Sequence, residues 1–384
     1  MHLFISAGEP SGDLHGASLI RSLRKAHPDV KITGFGGDRM AEEGAELIFP
    51  LADHAVMGFI PVLLNIRKFR NLLILGETFL KENKPDAVVV IDNPGFHWHL
   101  AKRAKAAGIP VYYFVPPQLW AWGGYRVKKM KASVDYVLTS LPFEQKWYAD
   151  RGMPCHYIGH PYFDELAHQK LDPVFIGRQA RQPGRVVAIL PGSRDREVKR
   201  NLPLMLAAAE RIHAKHPDTR FIVAAFKDAH ADGAREQLVG STLPVTVEVK
   251  KTPEILQSAH CCIAVSGSVS LEIMNALKPA VIVYRAGFFG VVVARKIMQV
   301  RFITLVNLLA GREIFPEFLC FRDPDEEIAD RIDRWLSSDD ERRATVEGLK
   351  ALKTQVAQPG AADRAAEFVL SRVRGAIDAS RRAA

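Results

Sequence analysis

Short apolar runs alternate with longer amphipathic segments along nearly the whole chain. The runs in the first half that predict strands are His2–Ser6, Lys31–Gly36, Ala87–Ile91, Val111–Val115, Tyr136–Thr139 and His156–Ile158. Those in the second half are Val186–Leu190, Arg220–Ala225, Val245–Val249, Cys261–Val265, Ala280–Tyr284 and Phe302–Thr304. Strand and helix patterns that alternate in this way are typical of βαβ units and parallel sheets. We therefore predict an α/β protein with two doubly wound, Rossmann-like domains.

The alternation stops between the two halves. The segment from Phe163 to Arg185 contains prolines, glycines and many charges, which is typical of an inter-domain connection. Beyond Pro324 the chain is predicted to be helical and charged to its end. We predict an N-terminal domain over residues 1–165 and a C-terminal domain over residues 185–350. Two domains of this class that face one another leave a cleft at the carboxyl ends of both sheets, where ligands usually bind.

The composition, with 48% hydrophobic and 25% charged residues, is typical of a soluble globular protein. The longest apolar candidate for a membrane span, Ala280 to Ile297, is interrupted by Arg285 and Arg295. The first residues are typical of a β-strand and not of a signal peptide, so we expect the protein to stay in the cytoplasm. The cysteines lack the spacing of metal ligands, so we predict reduced thiols and no metal site.

The net charge of +9 favours an anionic partner, which would be a nucleic acid, an anionic lipid or a phosphorylated substrate. Basic residues cluster at Arg67, Lys68 and Arg70 and again at residues 126–131, each time among large apolar side chains. No nucleic-acid-binding motif accompanies them. The segment from Met57 to Leu75 is unusually apolar for a basic helix, which favours binding to a membrane surface. A core helix with a solvated basic edge fits the same pattern equally well.

One predicted strand of the second half, Val186–Leu190, ends in Pro191-Gly192-Ser193-Arg194, where a helix is predicted to begin. Free N–H groups at a helix N-terminus carry partial positive charge and bind phosphate. Gly192 lets the backbone approach the anion, and Arg194 can pair with two phosphate oxygens. Taken singly, such a turn is more often a plain βα connection than a phosphate site.

A second turn of the same kind lies downstream. The predicted strand Cys261–Val265 is followed by Ser266, Gly267 and Ser268, and Glu272 lies in the first turn of the next helix. A carboxylate at that place can hold ribose hydroxyls. Two such turns in one half of the chain indicate a nucleotide diphosphate as ligand.

Polar residues also follow the predicted strands of the first half. The turn after the first strand contains Glu9, Ser11, Gly12 and Asp13 and opens a helix whose N–H groups face the predicted cleft. Turns with Asp92 and with Gln118 and Trp120 follow the third and fourth predicted strands.

Asp92 is the candidate general base. It follows directly after four apolar residues, so partial desolvation would raise its pKa and suit it to accept a proton from a sugar hydroxyl. The alternative is that it only caps a turn before Pro94. His15 and His97 are the rival candidates for the base.

Nine motifs occur in this chain in the order that is typical of the lipid A disaccharide synthase family. They are Ala7-Gly-Glu-Pro-Ser-Gly-Asp13, Ala55-Val-Met-Gly58, Ile91-Asp92-x-Pro-x-Phe96, Pro117-Gln-x-Trp-Ala-Trp122, Leu141-Pro-Phe-Glu144, Ile158-Gly-His-Pro161, Leu190-Pro-Gly-Ser-Arg194 with Glu197, Ser266-Gly-Ser-x-x-Leu-Glu272 and Asn307-Leu-Leu-Ala-Gly-Arg312. The chain thus resembles that family over nearly its whole length. The resemblance implies a GT-B glycosyltransferase that joins UDP-diacylglucosamine to diacylglucosamine 1-phosphate. It would invert the anomeric centre of the donor and release the β(1→6) lipid A disaccharide phosphate and UDP.

The resemblance also implies roles for particular residues. The catalytic group is Asp92 as base, with Glu9 and Ser11. The nucleotide-binding group on the second domain is Gly192, Ser193, Arg194, Ser266, Gly267, Ser268, Glu272 and Asn307. The group around the acceptor and donor is Gly12, Asp13, Met57, Gln118, Trp120 and Arg312.

The resemblance further implies a setting for the reaction. The first domain would receive the acylated acceptor at the inner face of the cytoplasmic membrane, with Arg67, Lys68 and Arg70 on the lipid headgroups. The protein would be peripheral, would need neither a metal nor another cofactor, and would not bind nucleic acid. A homodimer is left open. The C-terminal helices, at about residues 355–384, would cross back onto the first domain.

The chain departs from the family pattern at four positions. Gly95, Gly123, Pro61 and Cys320 stand where the family has Asp, Arg, Glu and Gln. Two alternatives therefore stay open. One is a divergent GT-B UDP-sugar transferase or epimerase with another acceptor, and the other is a catalytically weak paralogue that binds nucleotide sugars.

Overall fold

The structure, a computed structural model, describes residues 1–52, 66–285, 300–320 and 322–383. The chain forms two compact units. Unit 1 consists of Met1–Ala167 and Gln358–Ala384, and unit 2 consists of His168–Ala357. Among the helices that are described, none has both the length and the apolar character that a membrane span needs.

Seven described strands form the parallel sheet of unit 1, in the order β3-β2-β1-β4-β5-β6-β7. They are β1 His2–Ala7, β2 Lys31–Phe35, β3 Glu46–Phe49, β4 Ala87–Ile91, β5 Val111–Phe114, β6 Tyr136–Thr139 and β7 Cys155–Tyr157. The strand order reverses between β1 and β4, which makes their carboxyl ends the topological switch point of this sheet. Ala7 lies beside Ile91 in the register of the two strands, so the turns that follow them are neighbours.

Six described strands form the parallel sheet of unit 2, in the order β10-β9-β8-β11-β12-β13. They are β8 Val186–Leu190, β9 Arg220–Ala225, β10 Val245–Val249, β11 Cys261–Val265, β12 Ala280–Arg285 and β13 Glu317–Cys320. The order reverses between β8 and β11, the two strands that carry the predicted phosphate turns. The prediction of two doubly wound parallel sheets is confirmed.

Helices connect the strands in both units. The first group, in chain order, is α1 Pro10–Ala26, α2 Asp38–Glu42, α3 Ile66–Asn83, α4 Pro94–Ala106, α5 Leu119–Trp122, α6 Val127–Ser133, α7 Pro142–Ala149 and α8 Tyr162–His168. The second group is α9 Pro173–Arg181, α10 Asp195–Lys215, α11 Asp228–Gln237, α12 Thr252–Ser258, α13 Val269–Asn275, α14 Leu305–Ala310, α15 Asp325–Ser337, α16 Asp339–Val356 and α17 Ala361–Ala383.

The sheet of unit 1 is buried on both faces. Leu3 belongs to a buried cluster with Val369 of α17, whereas the next residue, Phe4, belongs to a cluster on the other face with Leu72 of α3 and Leu100 of α4. Successive side chains of a strand point to opposite faces, so a strand covered on both sides must be apolar throughout. This explains why the strands appear in the sequence as continuous apolar runs.

The last helix, α17, packs on unit 1. The carboxylate of Asp164 accepts hydrogen bonds from the N–H groups of Gly360, Ala361 and Ala362 at 2.5, 3.2 and 2.9 Å. Nε of Arg364 donates to the carbonyl oxygen of Ile158 at 2.7 Å. A capping carboxylate and apolar contacts with α1 and the sheet therefore hold this helix in place.

Phe302–Thr304 was predicted as a strand, and this prediction is wrong. The N–H groups of Ile303 and Thr304 donate to the carboxylate of Glu317 at 2.7 and 2.8 Å, and the Thr304 hydroxyl caps α14. The edge strand of the sheet is β13, which starts at Glu317 itself. β-branched residues are common in strands, but Thr is also a good helix cap. Thr304 takes the capping role here and is not part of a strand.

Two further elements differ from the prediction. The segment from Phe163 to Arg185 is mostly helical, because Asp172 caps α9 and Pro173 takes its first position. Strand β3, Glu46–Phe49, was not predicted, since it has only four residues and all but Glu46 are half-buried.

Candidate active site

The carboxyl ends of β1 and β4 in unit 1 touch one another. Nδ2 of Asn93 donates to the carbonyl oxygen of Gly8 at 3.3 Å. A Cβ atom on Gly8 would lie 2.3 Å from that nitrogen, so a larger residue here would displace the Asn93 side chain. The close approach brings Glu9 and Asp92, which follow the two strands, to the same edge of the sheet.

Asp92 has a backbone conformation that side chains rarely adopt. Its φ angle is +50°, and that of the next residue, Asn93, is +38°. Val115, at the end of the neighbouring strand β5, has a φ angle of +54°. Each such residue costs on the order of 1–3 kcal/mol, and residues of this kind cluster at functional sites. The strain therefore marks the ends of β4 and β5 as a candidate site.

Two hydrogen bonds to one carbonyl oxygen hold this strained turn. Nδ1 of His97 and the hydroxyl of Tyr113 each donate to the carbonyl oxygen of Asp92 at 2.7 Å. Asp92 is half-buried, and partial desolvation of its carboxyl group raises its pKa, although a hydrogen bond from the N–H of Asn93 partly opposes the shift. A carboxylate whose pKa lies above the ordinary value is a better proton acceptor.

The turn after β1 leads into α1, a helix of 17 residues. Glu9 is half-buried and precedes Pro10, the first helical residue, and Ser11 is exposed in the first turn. Gly12 is buried, and a Cβ atom there would lie 3.4 Å from the Cβ of Ala7. The first N–H groups of α1 have no partner within the helix, so this turn can bind an anion.

Asp13 has a different role from the expected one. Its carboxylate accepts hydrogen bonds from the N–H groups of Gly37, Arg39 and Met40 at 2.7, 3.2 and 3.2 Å. These groups lie at the N-terminus of α2, where a negative charge is stabilising. The side chain is buried, so Asp13 caps a helix and does not line an open cleft.

Trp120 also differs from the expectation. The residue is buried, and its indole Nε1 donates to Oε1 of Glu144 at 2.8 Å. The accessible tryptophan of this motif is Trp122, which is 54% exposed and has the guanidinium of Arg126 at 5.3 Å from its ring centre. Gln118, just before α5, is exposed. Sequence reasoning missed Trp122, because nothing in the motif says which of the two tryptophans faces the core.

The first predicted phosphate turn of unit 2, Pro191-Gly192-Ser193-Arg194, lies between β8 and α10. Gly192 has a φ angle of +120°, and a Cβ atom there would lie 2.9 Å from the Cβ of Glu197, so both the backbone and the space require glycine. Ser193 and Arg194 are exposed, and the 21-residue helix α10 begins directly after them. Nη1 of Arg194 lies 2.8 Å from Oε1 of Glu197.

The second phosphate turn lies on the neighbouring strand. β11 pairs with β8, so Ser266, Gly267 and Ser268 follow at the same edge of the sheet as the first turn. Gly267 and Ser268 are exposed, and a Cβ atom on Gly267 would have no atom within 4 Å. Glu272 is half-buried in the first turn of α13. The two turns thus form one continuous polar edge of unit 2.

Asn307 does not lie on that edge as an accessible side chain. It is fully buried, and Nδ2 donates to the carbonyl oxygen of Phe315 at 2.7 Å and to the carboxylate of Glu317 at 2.8 Å. Oδ1 accepts from the N–H groups of Ile314 and Phe315 at 2.8 and 2.9 Å. All the hydrogen-bonding groups of the amide are used within unit 2, so its side chain orders the 311–317 loop and is not available to a nucleotide.

The remaining candidate site residues are Arg312, three basic residues of α3 and Met57. Arg312 is exposed at the start of the loop that Asn307 holds. Arg67, Lys68 and Arg70 are exposed on α3. Met57 lies outside the described residues. Within the part of the chain that is described, no group of three or more His, Cys, Asp or Glu side chains could hold a metal ion.

Comparisons with known proteins agree on one family. Residues 3–370 match the family described as lipid-A-disaccharide synthetase. A lipid-A-disaccharide synthase from Myxococcus xanthus is 35% identical over 372 residues, which cover 96% of each chain. One from Coxiella burnetii is 34% identical over 377 residues, which cover 96% of this chain and 97% of that one.

Solved structures with the same fold are more distant in sequence. The S. aureus MnaA–UDP co-structure superposes with a TM-score of 0.67 over 97% of each chain, at 9% identity. UDP-GlcNAc 2-epimerase from Neisseria meningitidis bound to UDP-GlcNAc gives a TM-score of 0.65 at 13% identity, over 97% of this chain and 100% of that one. The glycosyltransferase of kitacinnamycin gives 0.61 at 16% identity, over 97% of this chain and 98% of that one. These likenesses show a GT-B type of fold, and the match over residues 3–370 shows that the chain belongs to the lipid-A-disaccharide synthetase family.

Proposed function

We propose that this glycosyltransferase of lipid A disaccharide synthesis transfers diacylglucosamine from UDP to diacylglucosamine 1-phosphate, with Asp92 as the general base. The observation that carries the proposal is the position of Asp92. It is a partly desolvated carboxyl group at the topological switch point of the unit 1 sheet, with a pKa raised by burial. Ligands of doubly wound sheets bind at such points.

Unit 2 is proposed to bind the UDP part of the donor. Its two phosphate turns follow the neighbouring strands β8 and β11, and the N-terminus of the long helix α10 adds partial positive charge beside Ser193. Arg194 would pair with phosphate oxygens, and Glu272 would accept hydrogen bonds from ribose hydroxyls. The positive charge of Arg194 and of the helix end would stabilise UDP as it leaves with its extra negative charge.

Unit 1 is proposed to supply the base. Asp92 would take the proton of the acceptor hydroxyl while that oxygen bonds to the anomeric carbon of the donor. The bond between this carbon and the UDP oxygen breaks at the same time, and attack from the opposite side inverts the anomeric centre. Glu9 and Ser11 lie on the adjacent turn and would position the acceptor by hydrogen bonds.

The exposed face of α3 is proposed to lie on the membrane that holds both acylated substrates. Arg67, Arg70 and Ile74 are spaced by three and four residues and are all exposed, so they share one helix face. Ile74 and Leu75 are 47% and 40% exposed, so large apolar side chains also reach the surface of this basic helix. The basic residues would contact lipid headgroups, and the exposed apolar residues would contact the acyl boundary of the membrane interface.

Gly95, which stands where the family has Asp, is a departure that supports the alternative of a catalytically weak paralogue. It is exposed in the first turn of α4, and the nearest atom to a Cβ there would be Oδ1 of Asn93 at 3.8 Å. A Cβ atom at this place would therefore make only an ordinary van der Waals contact.

Product analysis separates these possibilities. The protein is incubated with UDP-diacylglucosamine and diacylglucosamine 1-phosphate, and mass spectrometry should find the acylated disaccharide phosphate and one equivalent of UDP. Conversion of the donor without disaccharide would indicate an epimerase, and binding of UDP without turnover would indicate the weak paralogue. Either result would contradict the proposed transfer.

The variant Asp92→Asn tests the base. It keeps the size of the side chain and removes its basicity, so kcat should fall by about 10²–10⁴-fold while UDP affinity stays the same. Asp86→Asn is the matched control. Asp86 lies at the other end of β4 from Asp92, where it accepts a hydrogen bond from the N–H of His2. If Asp92→Asn retains kcat within a few-fold of the control, Asp92 is structural and Glu9 becomes the better candidate.

A further inference from the structure

His97 is a fully buried polar side chain in the first turns of α4 that links two strands of unit 1. Its Nε2 lies 2.8 Å from Oγ of Ser6 on β1, and its Nδ1 lies 2.7 Å from the carbonyl oxygen of Asp92 at the end of β4. The imidazole therefore connects the strand next to β4 with the turn that carries the proposed base.

The partners of the ring determine its tautomer. A carbonyl oxygen can only accept a hydrogen bond, so the proton lies on Nδ1, and Nε2 accepts from the Ser6 hydroxyl. Burial lowers the pKa of His97 to about 4, so the ring stays neutral near pH 7 and this arrangement persists. Because the side chain has no exposed surface, His97 does not contact the substrate and is no rival to Asp92 as the base.

The bond from His97 acts on a strained backbone. Asp92 and Asn93 are consecutive residues with φ angles of +50° and +38°, a left-handed conformation that is uncommon for residues other than glycine. Nδ1 of His97 and the hydroxyl of Tyr113 are the two side-chain donors to the carbonyl oxygen of Asp92 among the described residues. Tyr113 stays protonated and able to donate, because burial and the nearby charges of Asp92 and Glu9 raise its pKa well above the ordinary value.

We propose that His97 is a positioning residue, which holds the turn at Asp92 in its left-handed conformation and so aims the carboxylate at the acceptor hydroxyl. The inference rests on the proposed role of Asp92 as general base. Loss of the bond would let the turn relax towards extended backbone and move the carboxylate. Because the relaxed carboxylate would be less buried, its pKa would also fall.

The first test is His97→Phe, which keeps a buried ring and removes both hydrogen bonds. We expect kcat to fall by about 10–100-fold with little change in KM, since a displacement of the order of 1 Å can cost a factor of this size. The acid limb of the kcat–pH profile should shift to lower pH. His97→Gln, whose amide can donate to the Asp92 carbonyl and accept from Ser6, should recover most of the loss. A folded His97→Phe protein with the kcat and pH profile of the parent would overturn the inference.

Two further variants keep the test open if His97→Phe does not fold. Tyr113→Phe removes the other donor to the same carbonyl oxygen and should shift the acid limb in the same direction. Ser6→Ala leaves the bond between His97 and Asp92 in place and should keep the parent profile. The inference fails if Tyr113→Phe leaves the kcat–pH profile unchanged. It also fails if Ser6→Ala shifts the profile as much as Tyr113→Phe does, because the hydrogen bonds to the Asp92 carbonyl would then not determine the profile.

A double variant separates this inference from the proposed function. If His97 acts through Asp92, His97→Phe should change kcat by less than about threefold in the Asp92→Asn protein, because the effects of coupled residues are not additive. Full loss in both backgrounds would mean a general structural role and would overturn the inference. An Asp92→Asn protein with normal turnover would instead overturn the role of Asp92 as base.

Discussion

The indole Nε1 of Trp120 donates a hydrogen bond of 2.8 Å to Oε1 of Glu144, a residue 24 positions further along the chain. The other carboxylate oxygen accepts from the N–H groups of Ser140 and Leu141 at 3.0 and 2.9 Å. Both oxygens of a fully buried carboxyl group are thus used, although burial still raises its pKa to about 6. This pair fixes the segment from which the exposed Trp122 projects.

The variant Glu144→Gln should destabilise the protein in a pH-dependent way. The NH2 group of the amide cannot accept a hydrogen bond, so about 1 kcal/mol should be lost at pH 3, where the parent carboxyl group is protonated in both the folded and the unfolded state. The pKa is about 6 in the folded state against the ordinary 4.5, so the parent loses stability as the pH rises through this window. The deficit of the variant should therefore shrink between pH 4.5 and 6.

Urea unfolding of both proteins across this pH range measures the effect, with Glu82→Gln, at an exposed position on α3, as the control. A deficit that does not change with pH would contradict the raised pKa of Glu144.

Acid should destabilise the protein through the buried residues His15 and His97 and the half-buried His160. Burial lowers the pKa of His15 and of His97 to about 4, and that of His160 to about 3. An unfolded chain takes up protons on these residues near pH 6.5, whereas the folded chain does not, so their contribution is present above pH 6.5 and is lost as the pH falls towards 4. The free energy of unfolding should drop by about 1.4 kcal/mol for each unit by which a pKa is lowered.

The measurement is the slope of the free energy of unfolding against pH between 6.5 and 4. His15→Gln should reduce this slope by nearly one proton, and His168→Gln, at an exposed position, should not. Equal slopes for the His15 variant and the parent would show that His15 takes up its proton in the folded protein.

Arg194→Ala should weaken the binding of UDP by about 10–100-fold, because a hydrogen bond to a charged group contributes about 1.5–3 kcal/mol. Isothermal titration calorimetry with UDP measures the change. Arg196→Ala is the matched control, since Arg196 is equally exposed but lies within α10 and not in the turn before it. Similar losses of UDP affinity in the two variants would mean that only the overall positive charge matters. Unchanged affinity in Arg194→Ala would mean that Arg194 does not contact UDP.

Replacement of Arg67, Lys68 and Arg70 together by Glu should release the protein from anionic vesicles, since each basic residue near such a surface contributes about 1 kcal/mol. Sedimentation with phosphatidylglycerol-containing vesicles measures binding, and pure phosphatidylcholine vesicles are the control. Added salt should have the same effect on the parent protein, because it screens surface charge. A triple variant that sediments like the parent would mean that this face of α3 is only solvated.

The order of strands and helices could be predicted from the sequence because it depends on local patterns. Val186–Leu190 and Cys261–Val265 are apolar runs that end in small polar residues, and the structure has strands β8 and β11 there. The raised pKa of Asp92 also followed from its neighbours, since a carboxyl group next to a buried strand loses water. By contrast, Phe302–Thr304 has the residue types of a strand, but its N–H groups pair with Glu317, a residue more than ten positions away.

What only the tertiary structure decided is which polar side chains are accessible. Asp13, Trp120 and Asn307 belong to the same motifs as Ser11, Gln118 and Arg312, respectively, yet the first three are buried and bonded within their unit. Their partners, such as Gly37, Glu144 and Phe315, come from other segments. Burial of a polar group without such partners costs about 1–3 kcal/mol, so these contacts favour the buried positions of the three side chains. The pattern of a sequence sets where a side chain stands along a strand or helix, and the folding of distant segments around it sets whether it can bind a ligand.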